Sequence, residues 1–231
     1  MVSQILNHAD YFTADAFFLA EKMKELAKRN IEVEVINFGI DPICRNLSEL
    51  NSLLPQKENI IYSNRLHKKL YRIDKVIVAF GFFLKENPQK WQLVIAGNGE
   101  ETPNLLHFVH TIGIAQNVKF TGWINRDQNF EWYRKAKIFV SNPESDATAV
   151  SLLEAMSAGC IPVLSDLPAN REWITKDHHG IITAQLSSTD FEHAVELCST
   201  NAVANNLELV LQKASKAQSR RLFLDLYDRA F

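Results

Sequence analysis

From about residue 59 onward the chain alternates short apolar runs with longer segments whose apolar residues return every three or four positions. That alternation narrows the possible folds more than any other feature, because it is the pattern of βα units laid into a parallel sheet. The apolar runs span 59–63, 91–96, 117–121, 137–140, 160–164 and, briefly, 180–182. After the first of them, Ile73, Val76, Ile77, Phe80 and Leu84 share one helical face, with Asn87 and Pro88 as a stop; further helices are predicted near 103–113 and 126–136. Strands of four to six mostly apolar residues need cover on both faces. The predicted fold class is therefore α/β, a doubly wound parallel sheet of about six strands with helices on both sides.

The ends of the chain stand outside this repeat. Residues 10–29 read as an amphipathic helix with Thr13 as its N-cap, followed by a strand over 32–36 and a turn at Gly39, Ile40, Asp41 and Pro42. At the other end Leu222, Phe223, Leu226, Tyr227 and Ala230 make an apolar stripe on a last helix with no later strand to serve.

With 231 residues, 46% of them hydrophobic, one sizeable core is expected. The net charge of −2 gathers into no block of either sign, which points away from nucleic acid as a partner. Three widely spaced cysteines, Cys44, Cys160 and Cys198, fit neither a disulfide framework nor a zinc site and suggest a reducing, cytoplasmic setting. No apolar run approaches the ~18 residues of a membrane span, so membrane contact would be peripheral, at the inner face.

One stretch carries chemistry. Ser145-Asp146-Ala147-Thr148-Ala149-Val150-Ser151-Leu152-Leu153-Glu154 leaves the fourth apolar run and enters a predicted helix starting near Thr148. In a doubly wound sheet, ligands bind beyond the carboxyl ends of the strands, and this stretch sits at such an end. A helix start there aims free N–H groups and a positive dipole end into the crevice, and small Ala147 and Ala149 let an anion approach the backbone. Two acids eight positions apart would flank that anion as acceptors for hydroxyl groups, the layout of a nucleotide-sugar. Taken alone, Asp146 as a cap and Glu154 as a solvated helix residue explain the same spacing.

Several segments then match a known family in order: Ser63-Asn64-Arg65-Leu66 with Ile73-Asp74 and Ala79-Phe80; Leu93 to Gly99; Val118 to Trp123; Tyr133 to Val140; and Asp146 through Gly159 to Val163. Over 57–198 the chain resembles the C-terminal, donor-binding, Rossmann-like half of a GT-B-fold retaining glycosyltransferase of family four. The resemblance implies that Glu154 holds the ribose hydroxyls and that Asp146 addresses the donor sugar or its phosphates, near backbone groups of Thr148, Ala149 and Val150. It implies that Arg65 and Lys69 neutralise the diphosphate, with Lys68 and Arg72 as alternatives to Lys69. It also implies that the loops at Gly97, Asn98, Gly122 and Trp123 border the base. Trp123 reads either as a stacking platform or, preferentially, as a half-buried packing residue. Ser165, Asp166, Asn170, Arg171 and Glu172 sit at the same rim as ligand contacts or caps. His107, His110, His178, His179 and His193 read as ordinary helix or turn residues.

The resemblance further implies transfer of a hexose from a nucleotide-diphosphate sugar to a glycan or lipid-linked acceptor with retention, as in bacterial surface polysaccharide synthesis, with no cofactor and no obligatory metal. Residues 1–45 are expected to be the tail of an acceptor domain and a hinge, 46–200 the donor domain, and 201–231 C-terminal helices. With the acceptor domain missing, the cleft would be incomplete, able to bind a donor and barely able to turn it over. A non-catalytic sugar-nucleotide or assembly module that docks a partner chain is the alternative. A nicotinamide-binding reading is disfavoured, since no GxGxxG follows the first strand.

Overall fold

The structure is a computed structural model that describes residues 2–87, 90–175 and 178–230, without the side chains of residues 2–4 and 230. Pro88 of the expected helix stop lies outside the described residues, as does the side chain of Ala230. The chain opens with α1 (Val2–His8), β1 (Thr13–Ala14), α2 (Phe17–Leu26), β2 (Glu34–Val35) and α3 (Leu47–Leu53). The repeat follows as β3 (Glu58–Ser63), α4 (Ile73–Glu86), β4 (Gln92–Ala96), α5 (Thr102–Thr111), β5 (Val118–Gly122), α6 (Arg126–Lys135), β6 (Ala136–Ser141), α7 (Val150–Ser157), β7 (Ile161–Ser165), α8 (Pro168–Arg171) and β8 (Ile181–Thr183). It ends with α9 (Ser188–Leu197), α10 (Ala202–Ala214) and α11 (Lys216–Ala230).

Strands β3 to β8 form one six-stranded parallel sheet in the order β5-β4-β3-β6-β7-β8. The chain builds outward from β3 to β5, returns to the middle, and builds the other way, so the direction of winding reverses between β3 and β6. Ile61, Leu93, Val94, Ile95, Ile138, Phe139, Val140 and Val163 are wholly buried, which is why these strands read as unbroken apolar runs. On α4, Ile73, Val76, Ile77, Phe80 and Phe83 fill one side, each large side chain contributing about 1.5–3 kcal/mol of burial. Asn125 and Gln128 close a reciprocal capping box at the start of α6 and fix where that helix begins.

The amino-terminal piece departs from expectation. Thr13 caps no helix: Thr13–Ala14 pairs in parallel with Glu34–Val35, and the helix starts only at Phe17. Its first N–H groups are satisfied from far along the chain, Phe17 and Phe18 donating to the Glu172 carboxylate at 2.9 and 3.0 Å. Local pattern cannot reveal an acceptor that remote. The strand expected over 32–36 shortens to two residues. Leu6, Phe12 and Ile31 form a small core of their own, whereas Ile40, Ile43 and Cys44 already belong to the main one.

The expected turn at Gly39 is a seam. Ile40 bridges Ser215 between α10 and α11, and a Cβ on Gly39 would lie 2.8 Å from the Lys216 Cα, so only glycine fits there. From this seam α11 runs back onto the amino-terminal piece. Ser219 donates to the Asn37 carbonyl at 2.8 Å, Arg229 pairs with Glu34 at 2.6 Å, and the Tyr11 hydroxyl donates to the Arg229 carbonyl. Of the expected stripe, Leu226 is buried while Phe223 and Tyr227 stay exposed.

Candidate functional site

The winding reverses between β3 and β6, and in a sheet of this kind the ligand crevice lies beyond the carboxyl ends of the strands at such a point. The loop after β3 crosses over the loop after β4 so closely that a Cβ on Gly97 would lie 2.5 Å from the Arg65 carbonyl oxygen, and one on Gly99 would lie 2.4 Å from that of His67. Gly97 also holds φ at +115°. The GxG pair is thus needed first to let two backbones touch. The Asn98 side chain is spent inside this turn, accepting from the Gly99 N–H at 2.8 Å and the Thr102 hydroxyl at 2.7 Å.

Over the ends of β3, β4 and β5 lies a hollow of about 230 Å³ whose lining includes Asn64, Ala96, Gly97, Trp123, Asn125, Arg126 and Asn129. Trp123 is 76% exposed, not half-buried as expected. It follows β5 at the outer edge of the sheet, where no neighbouring strand or helix covers it, and Gly122 turns the chain there at φ +68°.

A polar network runs from this hollow to α7. Asn129 accepts from the Tyr62 hydroxyl at 2.6 Å and from Asn64 at 3.1 Å, and its own amide reaches Glu154 at 3.5 Å. Asn64 also donates to the Tyr133 hydroxyl at 2.8 Å. Burial pushes the Glu154 carboxyl above the ordinary carboxylate value, while Arg126 and a Tyr133 hydrogen bond pull the other way. Burial likewise raises the phenols of Tyr62 and Tyr133, which stay neutral donors. Sequence reading missed Asn129 and Tyr133 as partners of Glu154. Their signal was present: at i and i+4 they share one face of α6.

Helix α7 begins at Val150, two residues later than expected, with Ala149 as an N-cap that makes no side-chain hydrogen bond. Thr148 is buried and donates its hydroxyl to the Asp15 carbonyl at 3.2 Å, so its side chain ties the amino-terminal piece to this loop. Arg65 reaches the first turn of α7, donating to the Ser151 hydroxyl at 3.1 Å, and pairs with Asp146. Its guanidinium lies 4.7 Å over the Tyr71 ring, and the side chain is 11% exposed. The sequence led us to expect an open Arg65 facing the helix end. The structure instead closes it on Asp146, because the two sequence-distant loops converge at the reversal point. Three consecutive residues there, Ser63, Asn64 and Arg65, each carry a buried polar atom (Oγ, Oδ1 and Nε) with no hydrogen-bond partner, an arrangement folded proteins rarely leave unexplained.

Lys69 does not join them. It sits exposed on a 3-10 turn and, with Lys68, lines a different hollow of about 670 Å³ between the start of α4 and α5. Arg72, at φ +47°, donates to the carbonyls of Asn142 and Pro143 at 2.9 and 3.1 Å, which fixes the loop after β6. The rim residues after β7 are held by protein partners: Asn170 donates to the Ser165 carbonyl, Arg171 pairs with Asp166, and Glu172 caps α2. Among the described residues no three His, Cys, Asp or Glu side chains gather as a metal site.

The family model for glycosyl transferases group 1 matches residues 48–218, well over half of the chain. The alpha-monoglucosyldiacylglycerol synthase of Streptococcus pneumoniae is 32% identical over 150 residues, covering 60% of this chain and 33% of the relative. A GDP-mannose:cellobiosyl-diphosphopolyprenol alpha-mannosyltransferase of Xanthomonas oryzae pv. oryzae is 30% identical over 101 residues, covering 43% and 26%. The chain thus spans about a quarter to a third of the length of these two relatives. The crystal structure of Anabaena HepE in complex with UDP-glucose superposes with a TM-score of 0.79 at 14% identity, over 98% of this chain and 66% of that one. At that identity the likeness speaks for the fold.

Proposed function

Because the chain belongs to the glycosyl transferases group 1 family, we propose that it is the donor-binding part of a GT-B glycosyltransferase and that the crevice between β3 and β6 receives a nucleotide-diphosphate sugar. The observation that carries this is the convergence of Arg65, Asp146 and Ser151 at the first turn of α7, with Glu154 further along the same helix and held by Asn129. HepE, of like fold, has been crystallised with UDP-glucose.

In this reading the base stacks on Trp123 over the 230 Å³ hollow, and the ribose hydroxyls donate to the Glu154 carboxylate that Asn129 and Tyr133 orient. The diphosphate meets Arg65 and the amino end of α7, whose N–H groups and dipole favour an anion. Charge neutralised in this way calls for no obligatory metal. Asp146 faces the sugar. In the transfer, the bond from the anomeric carbon to the β-phosphate oxygen breaks with the electrons leaving on the diphosphate. The acceptor hydroxyl oxygen forms the new bond and releases its proton. Arg65 and the helix end stabilise the departing charge. The acceptor, a glycan or lipid-linked species in the curated relatives' names, and retention of configuration belong to the same proposal. So does a cytoplasmic site of action with peripheral membrane contact; no helix among the described residues is long and apolar enough to cross a membrane.

Residues 1–45 and α11 would form the seat of an acceptor domain. Without one the cleft holds a single substrate, and turnover should be slight. The second reading, a non-catalytic module that docks a partner, is favoured by Ile5, Phe17, Leu26 and Phe38, apolar side chains more than half exposed on the amino-terminal piece. Calorimetric titration with UDP, GDP, ADP and their sugars tests the donor reading. Binding of one nucleoside diphosphate that Arg65→Ala abolishes supports it, and binding indifferent to Arg65→Ala refutes it.

A further inference from the structure

We propose that Asp146 is a built-in competitor for the diphosphate, holding Arg65 until a phosphate oxygen displaces it and thereby freeing the Asp146 carboxylate. The proposal rests on the donor-site reading and concerns how that site is controlled.

The Arg65 guanidinium is held on three sides. Ser151 takes an Nη1 hydrogen at 3.1 Å, Asp146 Oδ2 takes Nη2, and Tyr71 covers one face at 4.7 Å. Two of the five N–H donors are thus spent, and Nε, buried with no acceptor, is among those that are not. A phosphate oxygen that takes the Nη2 edge of Arg65 must displace Asp146. The partner free to move is Asp146, which is the more exposed of the two at 27% and sits in a loop, while Ser151 is fixed in α7 and Tyr71 in a 3-10 turn.

The exchange is favoured by charge and geometry. A diphosphate brings more negative charge than one carboxylate, and it can meet the guanidinium and the amino end of α7 together. Asp146 gains no cap on the helix: its Oδ1 accepts only from the Ala147 N–H at 3.0 Å. The loop is also crowded with acids. Asp15 lies close enough to Asp146 and Glu172 to feel both charges, so an anion arriving beside an unmoved Asp146 would be repelled. Once displaced, Asp146 is an acceptor within reach of whatever the diphosphate carries. The one residue thus weakens binding of the bare diphosphate and adds to binding of a hydroxyl-rich substituent.

The test is calorimetric titration of the full chain and of Asp146→Asn with UDP, inorganic pyrophosphate and UDP-glucose, with Asp146→Ser as a second variant should the first fail to fold. The expected result is that UDP and pyrophosphate bind the variant about fivefold or more tightly, the size of one unit-charge repulsion at 4 Å in water-like surroundings, and that UDP-glucose loses any advantage over UDP. Equal or weaker UDP binding by the variant overturns the proposal while leaving the donor reading intact. If the wild type ignores UDP and the variant binds it, the competitor role stands. If neither binds pyrophosphate or any of UDP, GDP and ADP, the donor reading falls with it.

Discussion

Asn129 on α6 and Glu154 on α7 meet at 3.5 Å across the crevice, and through Asn129 the acid joins Tyr62 and Asn64 in one hydrogen-bonded chain. The contact places a carboxylate whose proton affinity is raised by burial at the end of an oriented polar network.

Glu154→Gln should therefore separate binding from stability. A charged acceptor is worth about 1.5–3 kcal/mol to a hydroxyl donor, so nucleotide affinity should fall roughly ten- to a hundredfold. Stability should move the other way. A carboxyl with a folded pKa above its unfolded value holds its proton more tightly when folded, so stability falls as pH rises through that window and is regained below the unfolded value near ~4.3. Thermal melts should show the variant equal to or above wild type at pH 7, with the gap closing by about pH 4. Wild-type nucleotide affinity should drop on acidification at a pH above the ordinary carboxylate range by more than protonation of the nucleotide's own phosphate accounts for, and the variant should lack that additional drop.

Gly97→Ala and Gly99→Ala should cost stability, because the added methyls would lie 2.5 Å from the Arg65 and 2.4 Å from the His67 carbonyl oxygen. About 1–3 kcal/mol each is the scale for forced backbone shifts. Gly122→Ala, whose Cβ meets nothing within 4 Å, should cost only the ~1 kcal/mol of its left-handed φ. Chemical denaturation checks the order; a Gly122 variant as destabilised as the other two would contradict it.

Trp123→Ala should leave stability within about 0.5 kcal/mol, since an exposed side chain away from packing contributes little. Loss of base stacking should weaken nucleotide binding by about 1–3 kcal/mol. Quenching of Trp123 fluorescence by nucleotide, absent in Trp123→Phe, would report the same contact.

The six strands were legible because a sheet covered on both faces demands continuous apolar runs, and each predicted strand lies within a residue or so of its observed bounds. The expected position of the site followed from that fold class, which puts ligands beyond the carboxyl ends of the strands. Side-chain partners were not legible where they arrive from elsewhere in the chain. Glu172 caps α2 from more than 150 positions away, so Thr13 looked like the cap. Arg65 and Asp146 were each assigned to a ligand, yet they find one another because the loops after β3 and β6 are neighbours only in space. Lys69 has a suitable spacing from Arg65, but the 3-10 turn at Lys69–Tyr71 rotates it into another hollow. Trp123 was weighed as a large aromatic seeking the interior, and its place just past the edge strand leaves it exposed.

The central claim is that a diphosphate rests at the amino end of α7 against Arg65. Titration of the isotope-labelled chain with UDP, followed by backbone amide NMR, tests it most directly. The account predicts that the amides of Val150, Ser151, Arg65 and Gly97 shift together with the Trp123 indole, saturating with one affinity. Shifts confined to Lys68–Lys75 and α5, around the larger hollow, would contradict it.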